Sequence, residues 1–165
     1  MMLSGLVKSI RSLSAPLRVL GFLMLLLSLS RLLLLWWYWD RVAPTAGTWF
    51  ILLQGVRFDI VLMGMLVGPA LLAAPWLSGR KFGGSLLRYY LAVMTFFVVW
   101  LELGTIPYID QYDARPNFIY VEYLKYPREV FSMLLTSYGL LMVIVGFLTI
   151  ASSLVSWRLT AQASR

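Results

Sequence analysis

The sequence predicts an all-α membrane protein, a four-span transmembrane helix bundle with a short outward-facing interfacial helix. Three observations predict it. The chain of 165 residues is 61% hydrophobic and only 13% charged, whereas soluble domains are near a quarter charged. A soluble protein of this size has no way to hide so much apolar surface, so lipid must be the solvent for much of the chain. Four apolar runs are each long enough to cross a bilayer, and the basic residues between them fall alternately on one side. The formal charge of +7 therefore reads first as an orientation signal. The few polar residues speak against nucleic acid as a partner. The chain has no cysteine and no histidine, which removes thiol chemistry, the commonest general base and the commonest transition-metal ligand.

The first span is expected over residues 17–38. Pro16 suits the first turn of a helix, and Trp36, Trp37, Tyr38 and Trp39 make an interfacial aromatic belt at the far end. The run is too long for a signal-peptide core and has no small-residue cleavage site after it. A polar turn with Asp40, Pro44 and Gly47 leads to a second span over 49–76, where Pro69 and Pro75 introduce kinks. A basic, glycine-containing loop (Arg80, Lys81, Gly83, Gly84) precedes the third span, 86–106, which Pro107 stops. An outer segment, 107–127, follows. Pro127 then opens the fourth span, 128–157, since proline is tolerated at a helix start.

Lys8, Arg11, Arg18, Arg80, Lys81, Arg88, Arg158 and Arg165 share one side if all four runs cross, and that side should be cytoplasmic. Both termini are then cytoplasmic, and the loops after the first and third spans face outward. No repeat is visible. The outer loops hold too few residues for a folded extramembrane enzyme domain.

Four ionisable residues fall within spans: Arg31, Arg57, Asp59 and Glu102. Each costs roughly 2.5–3.5 kcal/mol near a helix centre, so partners are expected. At about 1.5 Å per residue, Arg31 lies about 8 Å inside the belt at Trp36. Arg57 and Asp59 lie about 13–17 Å from the outer end of the second span, and Glu102 about 6 Å from that of the third. Arg57 and Asp59 are about 200° apart around a helix, so each looks to a different neighbour. The simplest pairing is Asp59 with Arg31 and Glu102 with Arg57. Two readings stay open: interhelical staples, or an outward-opening polar pocket that receives an anionic lipid headgroup. Gly64-x-x-x-Gly68 permits close helix approach. Ser132, Thr136, Gly139, Val143, Gly146, Ile150 and Ser153 form a small-residue seam, read as contact within the bundle, with a docking face for another helix as the alternative.

The outer segment holds most of the remaining chemistry. Residues 110–117, with Asp113 and Arg115, read as a loop because Arg115-Pro116 disfavours helix. Asn117 is a good N-cap for a short surface helix over 118–126. Phe118 and Val121 would dip into lipid, Glu122 and Lys125 would pair on the wet side, and Tyr123 and Tyr126 suit that depth. This segment reads either as a connection or as a platform for a lipid-linked substrate or an outer domain.

The stretch Asp113-Ala-Arg-Pro-Asn-Phe-Ile-Tyr-Val-Glu-Tyr-Leu-Lys-Tyr-Pro-Arg-Glu-Val130 resembles the "RPN…EYL-x-YP-x-EV" signature in the membrane part of lipoteichoic acid synthase-like phosphoglycerol transferases, particularly their Gram-negative relatives. Val56-Arg-Phe-Asp59 resembles the "RFD" of their second span, and Leu29-Ser-Arg31 is similar to their first. The resemblance extends over nearly the whole chain. It implies a bacterial plasma (inner) membrane location and a transmembrane bundle, usually of five spans. A large outer domain of the sulfatase/alkaline-phosphatase type follows that bundle in the family. That domain uses a threonine nucleophile and a divalent metal such as manganese to move glycerol phosphate from phosphatidylglycerol. This sequence departs from the pattern: it has four spans, no histidine and no acid cluster for a metal site. It is expected to hold no catalytic residue and no metal of its own. The expected partners are membrane lipid, with phosphatidylglycerol as the candidate, and a sulfatase-like catalytic domain or chain. The alternative is a self-standing small membrane protein that assists assembly of, or lipid supply to, a partner. A small transporter has little support, because no inverted repeat or pair of broken helices is visible.

Overall fold

Backbone hydrogen bonds have no water to turn to in hydrocarbon, so a spanning chain closes them within helices. The computed structural model, which describes residues 2–45, 47–77, 80, 82–112, 122 and 125–163, is all-α over that range. The helices are α1 (Met2–Trp37), the short α2 (Trp39–Val42) with a 3-10 turn (Ala43–Thr45), α3 (Thr48–Leu77), α4 (Gly83–Leu103), α5 (Thr105–Tyr112) and α6 (Pro127–Ala163). Four stretches are long and apolar enough to cross a membrane: Ser12–Trp37, Thr48–Leu77, Gly83–Asp110 and Leu135–Ala161. The chain is a multi-pass membrane protein. Its contacts divide it into two compact units, one made of the residues up to Met94 with those from Leu154 onward, the other Thr95–Ser153.

In the first unit α1 packs on α3. The reason lies in two stripes at helical spacing. Pro16, Val19, Leu23, Leu27 and Arg31 are buried on α1, and Asp59, Met63, Val67, Ala70 and Ala74 on α3. Side chains three or four apart share a helix face, and the short connection makes the two helices antiparallel. Tyr38 ends α1, its N–H donating to the Leu34 carbonyl at 2.9 Å, and the Arg41 guanidinium sits 5.2 Å from the centre of the Tyr38 ring. The α3 kink expected at Pro69 has a companion on α4. Pro69 has no N–H for the Met65 carbonyl, and the Tyr90 hydroxyl donates to the adjacent Leu66 carbonyl at 2.8 Å. Gly83 is buried where α4 begins, so close to the Leu77 carbonyl that a Cβ has no room.

In the second unit Thr95, Val98, Val99, Thr105, Pro107, Tyr108, Val145 and Thr149 are buried. On α6 the hydroxyls turn back on their own helix. Thr149 Oγ1 donates to the Val145 carbonyl at 2.7 Å, and Ser153 Oγ to that of Thr149 at 3.0 Å. Such i−4 bonds let a polar side chain sit in an apolar environment.

Several boundaries differ from expectation. Pro16 lies inside α1 rather than in its first turn. Pro107 does not stop the third span. Gly104 makes a turn, and Pro107 is the third residue of α5, where its missing N–H has no intrahelical acceptor to serve. Asp110 is accordingly helical rather than the start of a loop. Pro127 opens α6, and Tyr126 precedes it with its carbonyl accepting from Val130 N–H at 3.2 Å. The last helix is also broken: Tyr138, before Gly139, has φ −130° and ψ 30°.

Candidate functional site

Burying an ionised side chain among apolar helices is tolerated only when its counter-charge is buried with it. Among the described residues of the α1–α3 hairpin, Arg31 and Asp59 meet that condition. Arg31 Nη2 donates to Asp59 Oδ2 at 2.7 Å, with Arg31 4% and Asp59 7% exposed. The two residues lie toward the end of the hairpin that carries Trp36, Trp37, Trp39 and Trp49, all exposed. Arg31 lies six positions before Trp37, the last residue of α1, about 9 Å of helix.

Gly55 makes the contact possible. It precedes Asp59 by four residues and so lies on the same α3 face. A Cβ at Gly55 would fall inside contact distance of Arg31 Nε and Cζ, and 2.9 Å from its Cδ. The guanidinium is therefore laid over bare α3 backbone on its way to Asp59.

The pair satisfies Asp59 better than it satisfies Arg31. Nε and Nη1 of Arg31 are buried and have no hydrogen-bond partner among the described residues. A guanidinium carries five N–H donors and no acceptor, and each buried donor left unmade costs about 1–3 kcal/mol, more for a charged group. The arrangement can therefore accept an oxygen: a neutral ion pair whose cationic member has spare donors.

The other intramembrane charges are Arg57 and Glu102. Arg57 is exposed on α3 and makes no hydrogen bond or ion pair with a described residue. It is two positions from Asp59 and so faces another direction. Glu102 is half-buried on α4, within the second unit. In the outer segment, Asp113, Arg115, Asn117 and Tyr123 lie outside the described residues, as does most of the helix expected over 118–126. Glu122 Oε1 and Lys125 Nζ are 3.3 Å apart with both side chains well exposed, the wet pairing expected, and Tyr126 is exposed. At the basic end of the first unit, the Arg88 guanidinium lies 5.2 Å from the centre of the Trp157 ring. Among the described residues no three Asp or Glu side chains gather.

Two packing expectations are corrected. Among the described residues, Cβ atoms at Gly64 and Gly68 would meet nothing within 4 Å, so that glycine pair lies off the close α1–α3 contact. The small-residue seam of α6 is not the buried face within the second unit either. Ser132, Thr136, Val143 and Ile150 are exposed, while the buried residues there are Val145 and Thr149. The residue that sequence reasoning missed is Gly55. Its signal was its place one turn before Asp59, on the face that an arginine from α1 has to cross.

No family model matches the chain, and no solved structure gives a significant match.

Proposed function

We propose that this chain is the membrane module of a phosphoglycerol transferase-like enzyme of cell-envelope glycan or polymer modification. In this reading it anchors the enzyme in the bacterial inner membrane and presents lipid to a sulfatase-like catalytic domain or chain. Both termini are cytoplasmic and the tryptophan-rich end of the hairpin faces outward, following the distribution of the basic residues. The observation that carries the reading is the Arg31–Asp59 pair. Its two members come from the two intramembrane stretches with family resemblance, Leu29-Ser-Arg31 and Arg57-Phe-Asp59, and they are the charges buried together on the hairpin. The exposed Glu122–Lys125 pair and exposed Tyr126 support an outer segment that meets the interface. Any divalent metal belongs to the catalytic partner.

The test is to tag the chain in its own host and purify it in mild detergent. The eluate is then assayed for a sulfatase-type polypeptide and for manganese-dependent release of diacylglycerol from phosphatidylglycerol. Both are expected together. An eluate that holds lipid but neither the polypeptide nor the release would overturn this reading in favour of a self-standing lipid-supply protein.

A further inference from the structure

We propose that Arg31, laid over Gly55 and braced by Asp59, binds a phosphodiester oxygen of a lipid headgroup from the outer leaflet. The inference rests on the lipid-presenting reading above and names the atoms that do the presenting.

The donor set selects the ligand class. Arg31 uses Nη2 on Asp59 and leaves Nε and Nη1 unpartnered while 96% of the residue is shielded. Only an acceptor satisfies those groups, and an anionic oxygen forms the stronger, charge-assisted bond. Charge selects further. Arg31 and Asp59 cancel, and Arg57 on the same hairpin has no ion pair among the described residues. Among the described residues the hairpin therefore carries one uncompensated positive charge in its outer half, and a singly ionised phosphodiester brings it to zero. Depth selects the source. Arg31 lies about one and a half helical turns inside the aromatic belt, within reach of a headgroup drawn in along α1. A soluble anion would have to cross the exposed Leu32, Leu33 and Trp36 surface. Gly55 supplies the space, since any Cβ there would push the guanidinium away.

Free phosphate offers the same oxygens, and a buried water would also occupy the donors, so the test has to separate the three. Native mass spectrometry is run on the protein ejected from phosphatidylcholine nanodiscs doped with phosphatidylglycerol. The expected result is retention of phosphatidylglycerol over phosphatidylcholine, undiminished by excess inorganic phosphate. The double variant Arg31→Ala/Asp59→Ala removes both charges together and leaves the net charge of the hairpin unchanged. It should lower retention about tenfold, the loss of one charge-assisted hydrogen bond. Arg31→Lys keeps a cation beside Asp59 but removes the planar donor set, so it should also lower retention if the double variant does not fold. Retention at the wild-type level in a folded variant would overturn the site while leaving the module reading intact. Competition by inorganic phosphate would overturn the lipid source. Equal retention of both lipids would overturn the anionic headgroup, and a wild type that retains neither would leave water as the occupant; either result overturns the inference, even where a sulfatase-type partner co-purifies. Loss of the partner with lipid preference preserved would overturn the module reading instead.

Discussion

Gly55→Ala tests the construction of the site with one methyl group. An alanine Cβ would overlap Arg31 Nε and Cζ and lie 2.9 Å from Cδ, well short of the 3.5–4.0 Å at which carbon atoms pack. The α3 backbone cannot retreat without opening the α1–α3 contact, so the arginine side chain has to move. The 2.7 Å bond to Asp59 then stretches or breaks. A hydrogen bond to a charged group is worth about 1.5–3 kcal/mol, and alanine returns about 1 kcal/mol of helix propensity relative to glycine. The net loss is about 0.5–2 kcal/mol if the pair re-forms loosely. It rises to about 2–4 kcal/mol if both charges are stranded in an apolar interface, after the same propensity correction to the cost of breaking a buried pair.

The assay is reversible unfolding in mixed micelles by titration with dodecyl sulfate, followed by circular dichroism. Gly64→Ala is the control, because its Cβ meets nothing, and it should be neutral or stabilising by up to about 1 kcal/mol. A second control places Gly55→Ala in an Arg31→Leu/Asp59→Leu background, where the penalty should disappear. If Gly55→Ala matches Gly64→Ala in the wild-type background, the guanidinium does not lie on Gly55 and the reasoning is wrong.

Other perturbations separate the remaining interactions by the same unfolding assay. Arg31→Ala alone should cost about 3–5 kcal/mol by stranding Asp59, whereas Arg31→Leu/Asp59→Leu should be close to neutral; equal losses would show that the pair is not coupled. Tyr90→Phe removes the donor to the Leu66 carbonyl and should cost about 0.6 kcal/mol, with about 1.7 as the ceiling for such interhelical bonds. Ser156 is fully buried with a hydroxyl that has no partner among the described residues, so Ser156→Ala should be neutral or stabilising by about 1 kcal/mol; a clear loss would reveal an acceptor for that hydroxyl. Glu122→Ala should change stability by no more than about 1 kcal/mol, since its pair with Lys125 is wet.

The spans were legible because length and apolar composition leave a chain in lipid little alternative to helix. The Arg31–Asp59 pair was legible for a related reason: an intramembrane charge is expensive enough to demand its opposite. The proline boundaries were less so. A proline early in an apolar run looks the same in sequence whether or not helix precedes it, and Pro16 proved internal to α1. Pro107 looked like a stop, yet Gly104 had already made the turn and left it in the opening turn of α5. Glycine spacing misled for a physical reason. Gly64 and Gly68 satisfy the close-approach pattern, but they are off the face that meets α1, which Met63 and Val67 define. Gly55 matches no pattern and is recognisable only after the Arg31–Asp59 contact has fixed which face is inward.

The same contact settles a question that the apolar stripes leave open. In lipid, apolar side chains gain little by touching each other rather than acyl chains. Counting outward from Arg31 and Asp59 in steps of four brings Leu27 opposite Met63 and Leu23 opposite Val67, residues that are all buried. Sliding α1 along α3 by one turn, about 5.4 Å, would still set Leu, Val and Met against one another at little cost in packing. It would also separate Arg31 from Asp59, leaving two charges in hydrocarbon at roughly 2.5–3.5 kcal/mol each, and carry the arginine off the one glycine that accommodates it. The pair and Gly55 thus set the register of the hairpin, while the aliphatic steps below them supply contact area that fits several registers. A residue set that fixes register at the tryptophan-rich end also holds the spare donors of Arg31 at one depth, which is what a site for a headgroup needs.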